Sequence, residues 1–464
     1  MAGDFDPWLS SAVAAEVAVA SRANAEALAA RQRNRLAKLL AEAVSGCGFY
    51  RDLYEGIDLA RAPLPDLPVV NKRALMQRFD DWVSDDALRL PELRRFIADP
   101  SRIGQPYLGR YIVWESSGSS GEPGIFVQDA HALAVLDALE ALRRPTPRPL
   151  ARLLDPFYVS ERIAFVGATD GHFASTVAVR RLQRLNPALA PRLHALSFLR
   201  PPGDLVGALD ALSPTIVATY PSEALLLAEE RLAGRLHLQL HELWTGGETL
   251  TPKVRRFVQQ AFACPVVDSY GASEFLSIAS ECERGRLHVN SDWVILEPVD
   301  EHGRTVPAGQ FGATTLLTNL ANRVQPLIRY ELGDRVAFGT HPCACGSQLP
   351  VIEVSGRSDD SIVLPRGHDR CVRVSPLAIT TVLEDEAGLF DFQLRQVGPN
   401  ELRLCTPLDS DAARARMHRA RVALGDYLAA QGATAVHVHC HSGHPHSLGR
   451  SGKVQRVIGA VSDA

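Results

Sequence analysis

Short runs of β-branched residues alternate with amphipathic stretches rich in Ala, Leu and Arg through most of this chain, and that alternation limits its fold more than any other feature. Residues 163–166, 215–218, 266–269 and 314–317 read as strands, and 222–232 and 252–262 as helices. Apolar strands separated by helix-length segments predict an α/β domain with a buried sheet, extending from about residue 48 to 355. Ahead of it, residues 9–45 carry Leu28, Leu36, Leu39, Leu40 and Val44 at roughly helical spacing among Ala, Glu and Arg, which predicts one long helix ending near Gly46 and Gly48. A segment rich in Asp and Gly follows Gly356 and marks a boundary between a large domain at 1–356 and a small α+β domain at 357–464. The smaller one is expected to contain strands at 393–397, 401–405 and 435–439 and a helix at 411–431.

The 464 residues, 46% hydrophobic and 22% charged, supply two or three cores and a charged surface. A formal net charge of -4 gives no overall basic field, which argues against nucleic acid and anionic membranes as partners. No apolar run reaches the roughly 18 residues that a membrane span requires. Asp4, Asp6 and Glu16 interrupt the place where a signal peptide would be hydrophobic, so the protein is expected in the cytoplasm. Its eight cysteines are scattered rather than spaced as a disulfide framework, and most are expected to be reduced thiols.

Five segments carry chemistry. In the first, the strand-like Tyr111-Ile112-Val113-Trp114 runs into Glu115-Ser116-Ser117-Gly118-Ser119-Ser120-Gly121-Glu122-Pro123-Gly124. Glycines let backbone N–H groups point inward and the hydroxyls add donors, which suits triphosphate oxygens; a flexible linker has the same composition. The Gly-Lys-Ser/Thr ending of a P-loop ATPase is absent. The second, Asp268-Ser269-Tyr270-Gly271-Ala272-Ser273-Glu274, follows an apolar run and offers an aromatic face for a base or aryl ring and a carboxylate for a magnesium ion. The third, Ile328-Arg329-Tyr330-Glu331-Leu332-Gly333-Asp334, and the fourth, Gly356-Arg357-Ser358-Asp359-Asp360, pair a carboxylate suited to ribose hydroxyls with an arginine that can donate to sugar or phosphate; each also reads as a capped turn. The fifth, Gly449-Arg450-Ser451-Gly452-Lys453-Val454-Gln455-Arg456, puts a lysine on a glycine-hinged loop, where a solvated basic tail is the alternative.

In this order the five segments resemble the adenylate-forming superfamily of acyl-CoA ligases, adenylation domains and luciferases. Tyr-Gly-Ala-Ser-Glu, Ile-Arg-Tyr and Gly-Arg-Ser-Asp-Asp, with Arg33-Asn34-Arg35-Leu36, Gly48-Phe49-Tyr50-Arg51 and Leu67-Pro68-Val69-Val70-Asn71-Lys72, are most similar to the phenylacetate-CoA ligase family. The resemblance implies an ATP-binding large domain and a small, mobile C-terminal lid. Ser116, Ser117, Gly118, Ser119, Ser120 and Gly121 would hold the ATP phosphates, and Gly246, Gly247, Glu248, Asp268, Ser269, Tyr270 and Gly271 would line the nucleotide site. Asp334 would bind the ribose with help from Arg357, Glu274 would hold magnesium, Asp359 would be the hinge and Lys453 the catalytic lysine. The acid pocket would lie between residues 167–173 and Tyr220, with Gly271 and Ala272 at its floor and His172 as its polar group. The implied reaction joins an acid, an aromatic carboxylic acid by the family resemblance, to AMP, releases pyrophosphate and passes the acyl group to CoA. Pro365-Arg366-Gly367-His368 is similar to the family's loop near the CoA site. A carrier protein or an amine remains open as acceptor. So do a small oxyacid such as nitrite with an aryl amine acceptor, a silent nucleotide-binding relative, and a homodimeric assembly.

One departure stands out. Many superfamily members have a lysine after the final Gly-x-Pro of the phosphate loop, whereas Gly121-Glu122-Pro123 is followed by Gly124. By analogy with some phenylacetate-CoA ligase relatives, Cys282 and His288 would join Cys343 and Cys345 around a structural zinc. Three thiolates and an imidazole have the number and softness of a closed tetrahedral site.

Overall fold

The strand Val266–Ala272 sits where the main sheet changes direction, and that position organises the molecule. The computed structural model describes residues 3–116, 123–155, 158–355, 362–366, 370–446 and 456–459. On one side of Val266–Ala272 lie the parallel strands Glu242–Thr245, Ile216–Thr219, Ile163–Gly167 and Leu193–Ser197. On the other side Phe275–Glu281, Leu287–Val289, Val351–Ser355 and Arg335–Phe338 run antiparallel, completing nine strands. The parallel half has helix cover as the alternation predicts: Ala174–Leu185, Pro202–Leu212, Pro221–Leu232 and Pro252–Phe262 connect its strands.

Beyond residue 272 the α/β expectation no longer describes the connections. The strand expected at 314–317 is present as Thr314–Asn319, but it belongs to a separate antiparallel sheet with Val294–Val299 and Leu327–Glu331. The hairpin Ile112–Glu115 and Ile125–Gln128 flanks the Ser/Gly loop.

The single N-terminal helix expected at 9–45 is two helices, Pro7–Ala20 and Ala25–Gly46. Local capping explains the break. The Asn24 side chain accepts a 2.8 Å bond from the N–H of Ala27, and the Ser21 hydroxyl closes the preceding helix on the carbonyl of Val17 at 2.8 Å. Arg143, reaching over from helix Ala130–Arg143, grips the fully buried Asp292 with both terminal nitrogens at 2.6 and 2.9 Å. Arg35 stacks 3.3 Å above the Trp293 ring, so the N-terminal helices are clamped to the turn entering the three-stranded sheet.

Residues 362–457 have a core of their own, built from side chains such as Leu364, Ile379, Leu394, Leu404, Leu424 and Val457. Helices Pro376–Asp385 and Asp411–Ala430 pack against a sheet ordered His437–Ser442, Glu401–Thr406, Gln393–Gly398 and Val457–Ile458. This block touches the main domain through Leu377, Ala378 and Tyr427, which join the core beside the parallel strands. Polar contacts add Ser222 Oγ to Ser375 Oγ at 3.1 Å and Arg373 to Glu229 at 3.1 Å. The boundary expected at 356/357 and the hinge residue Asp359 lie outside the described residues.

Candidate active site

The carboxyl ends of parallel strands leave backbone groups pointing out of the sheet, and the crevice beside them is the usual ligand site of an open α/β sheet. Here the ends of Ile216–Thr219, Glu242–Thr245 and Val266–Ala272 open into one large cleft. Tyr220, Gly246, Gly247, Glu248, Asp268, Ser269, Tyr270, Gly271, Ala272, Glu274, Asp334 and Ser116 all line it. Residues separated by more than two hundred positions, such as Ser116 and Asp334, therefore line one cleft. Ser117, Gly118, Ser119, Ser120, Gly121, Arg357 and Lys453 lie outside the described residues, as do residues 367–369 of the expected CoA loop.

Glycine is forced at one of these positions. A Cβ on Gly271 would lie 1.9 Å from the carbonyl oxygen of Leu276, a backbone atom that cannot step aside, so the tight turn from Val266–Ala272 into Phe275–Glu281 excludes every side chain. At Gly247, where φ is +79°, a Cβ would press on the Tyr220 ring at 3.0 Å. Glycine keeps the ring and the cleft wall in place.

The polar groups form two linked pairs. The Tyr270 hydroxyl donates to Asp334 Oδ2 at 2.9 Å, and the Tyr330 hydroxyl donates to Glu274 Oε1 at 2.8 Å. Glu274 is 8% exposed, and burial raises its pKa, opposed by the Tyr330 hydroxyl and the charge of Lys72. Asp268 is pushed up to about 7 by burial although Thr245 Oγ1 donates to it at 2.6 Å. Glu115, just before the Ser/Gly loop, is also pushed up to about 7 by burial. The cleft thus concentrates carboxyl groups that water does not stabilise, an arrangement suited to cations and to hydroxyl-bearing ligands.

At the base of the Ser/Gly loop, Ser116 and Gly124 clasp each other. The Ser116 N–H donates to the Gly124 carbonyl at 2.9 Å, and the Gly124 N–H donates to Ser116 Oγ at 2.9 Å. Trp114 Nε1 donates to the Ser273 carbonyl at 2.8 Å, tying this hairpin to the segment carrying Glu274.

Three residues of the sequence reading are held by contacts that their motifs do not announce. His172 is not among the residues lining the cleft: it is 1% exposed, its ring packs 5.7 Å from that of Phe96, and burial lowers its pKa. Its backbone carbonyl accepts from the Glu115 N–H, so its place is fixed by the strand end rather than by an acid pocket. Glu248 lines the cleft, but its carboxylate accepts from the Ser222 N–H and hydroxyl at 2.9 and 3.0 Å, holding the start of helix Pro221–Leu232. Arg329 is not among the residues lining the cleft. Its guanidinium is buried on Glu297 and the carbonyls of Pro65 and Leu67, and its backbone takes a left-handed φ of 49°.

Lys72, Trp114 and Arg456 line the cleft without having been singled out as site residues. Lys72 carries the most legible signal, since it closes Leu67-Pro68-Val69-Val70-Asn71-Lys72. Arg456 is paired with Glu384 at 2.7 Å and lies three positions beyond Lys453.

Away from the cleft, all four donor atoms of Cys282, His288, Cys343 and Cys345 lie within 4.8 Å of one another. Cys282 and Cys343 Sγ are 3.8 Å apart, and Cys345 Sγ is 3.4 Å from His288 Nε2. Two thiolates at about 2.3 Å from a tetrahedral zinc stand roughly 3.8 Å apart, so the donor set fits that ion. His288 Nδ1 lies 2.8 Å from the Leu349 carbonyl, which leaves Nε2 facing the thiols.

No protein-family model matches the chain. It is 28% identical to phenylacetate-coenzyme A ligase of Pseudomonas putida over 176 residues, covering 36% of this chain and 38% of that protein. It is 30% identical to protein CapK of Staphylococcus aureus over 94 residues, 20% of this chain and 19% of that protein. Both matches thus span well under half of those relatives. Among solved structures, 2-hydroxyisobutyryl-CoA ligase with 2-HIB-AMP and CoA in the thioesterification state aligns with a TM-score of 0.57 at 22% identity, over 95% of this chain and 91% of that one. The same ligase in the postadenylation state with R3-HIB-AMP gives 0.56 with the same identity and coverage. These likenesses show the fold.

Proposed function

We propose, from the premise that this chain has the adenylate-forming ligase fold and is phenylacetate-CoA ligase-like in sequence over part of its length, that it activates a carboxylic acid with ATP and passes the acyl group to a thiol. The observation that carries the reading is that Gly246-Gly247, Asp268–Glu274 and Asp334 line one cleft together with Ser116.

In the first step a carboxylate oxygen attacks the α-phosphorus of ATP, the acyl-oxygen to phosphorus bond forms, and the bond to pyrophosphate breaks. Both reactants are anions, so positioning and positive charge do most of the catalysis. Asp334, pre-oriented by Tyr270, accepts from the ribose hydroxyls. Tyr270 offers its ring to the adenine or the acyl group. Gly246, Gly247 and Gly271 let the nucleotide approach the strand ends closely, and Ala272 leaves room for an aryl group. Glu274, a buried hard-oxygen donor turned toward the cleft, fits a magnesium ion held with the phosphates, which would supply positive charge there. Lys453 donates to the oxygens around the α-phosphorus. Arg456, three residues on, already lines the cleft, which supports an approach of Lys453 from the C-terminal block. Rotation of that block about Asp359 then withdraws the lysine and admits the thiol of CoA. The Cys282, His288, Cys343 and Cys345 set holds zinc as a structural ion, since four protein ligands leave no open position.

ATP–pyrophosphate exchange over benzoates, phenylacetates, cinnamates, short hydroxy acids and nitrite tests the first step without assuming the second. An aryl carboxylate should give the fastest exchange. Exchange with nitrite alone replaces the acid, and no exchange with any acid defeats the adenylation reading.

A further inference from the structure

The phosphate loop lacks its usual lysine, and the structure shows what occupies that place. Gly124 stands after Gly121-Glu122-Pro123, where the loop lysine of many superfamily members would branch. A Cβ built on Gly124 would lie 3.1 Å from Cδ of Lys72 and 3.1 Å from Cε2 of Phe126, so the Lys72 side chain and the Phe126 ring together border the space that a residue-124 side chain would enter. Its ammonium lies 3.4 Å from Ser116 Oγ, the hydroxyl that closes the base of the loop, and its charge is felt by the Glu274 carboxylate.

The chain segment holding Lys72 is fixed to the site rather than draped over it. The Val70 N–H donates to the Arg329 carbonyl at 3.1 Å, and the Glu331 N–H donates to the Val70 carbonyl at 2.9 Å. The buried Arg329 guanidinium holds the Pro65 and Leu67 carbonyls. Thus the strand that presents Tyr330 and leads to Asp334 also positions Lys72, and Asn71 caps the short helix that begins with it.

We infer that Lys72 is the phosphate-binding cation of this enzyme, supplying from the N-terminal segment the charge that the loop itself has lost. The inference rests on the ATP reading above and adds the residue that recognises the β- and γ-phosphates. An ammonium beside the Ser116 hydroxyl, in a cleft that Glu274 also lines, is placed to meet the terminal phosphates at the base of the loop. A nucleotide with only an α-phosphate does not need it.

The test is direct binding of magnesium-ATP and of AMP to the full chain by calorimetry, with no acid present. Lys72→Ala should weaken ATP about 10- to 100-fold, the range of one charge-assisted hydrogen bond lost, while AMP binding stays within about twofold. Lys72→Arg should keep most of the ATP affinity. Should Lys72→Ala not fold, Lys72→Gln against Lys72→Arg makes the same comparison. Unchanged ATP affinity in Lys72→Ala overturns the inference, and so does equal weakening of ATP and AMP, which marks a structural role. Wild-type protein that binds neither nucleotide overturns the underlying ATP reading instead, a result seen before any variant is made.

Discussion

The two ends of one strand, Phe275–Glu281, make an instructive contrast. Glu274 precedes it at the cleft, and Cys282 follows it at the thiol–imidazole cluster, about 25 Å away along an extended chain. At the first end a carboxylate is buried, carries a raised pKa and is held by one tyrosine hydroxyl and a nearby lysine, so it gains from an incoming cation. At the second, four soft donors face one another and complete a shell by themselves. On the proposed function the difference separates a site that exchanges its ligands from one that keeps them, and it arises from which side chains the flanking elements deliver to the same strand.

The largest effect that would sharpen this contrast is expected at the cleft end. Glu274→Gln should lower ATP–pyrophosphate exchange about 100-fold at limiting magnesium, with partial recovery as magnesium rises, because an anionic oxygen ligand becomes neutral. Initial rates across a magnesium series check this, and a loss that magnesium does not touch would place Glu274 in a purely structural role. At the other end, Cys343→Ser or removal of metal by a chelator should lower Tm by about 5–10 °C while leaving the KM for ATP within about twofold. Elemental analysis should find about one zinc per chain. Protein without zinc, or a chelator that abolishes ATP binding before it lowers Tm, would erase the distinction between the two ends.

The smallest effect concerns pH. Glu115 lines the cleft beside the phosphate loop with its pKa raised to about 7 by burial. Below that pH the carboxyl is neutral and does not repel phosphate; above it an anion is present, so ATP affinity should fall about three- to tenfold as pH rises through 7. Glu115→Gln should flatten this dependence relative to wild type, and parallel binding curves for the two proteins would remove Glu115 from the account. Titration of the nucleotide itself affects both proteins equally.

The parallel half of the fold was legible because it is written locally. The helix at 252–262 is found as Pro252–Phe262, and the strand at 163–166 as Ile163–Gly167, since periodicity and proline at the helix start suffice to define them. The antiparallel half was not, because Leu287–Val289 and Val351–Ser355 pair with each other across a long stretch of sequence, and the three residues of Leu287–Val289 carry little alternation. The N-terminal break at Ser21 and Asn24 was written as a cap inside a run of good helix formers, where composition outweighed it. At the site, motif residues that meet the cleft through strand ends, such as Tyr270 and Asp334, were readable. The role of Arg329 was not, since its partners are backbone carbonyls that no side-chain pattern announces, and Lys72 gained meaning only when Gly124 was seen beside it.

On the proposed function the acid's own oxygen bonds to the α-phosphorus in this cleft. The most direct measurement uses the acid giving the fastest exchange, labelled with oxygen-18 in its carboxylate, together with ATP, magnesium and a thiol acceptor. Acyl transfer breaks the carbon–oxygen bond of the acyl-adenylate, so mass spectrometry should find one labelled oxygen in AMP and none in pyrophosphate. Label in inorganic phosphate with ADP as the nucleotide product, or AMP free of label, would contradict the account.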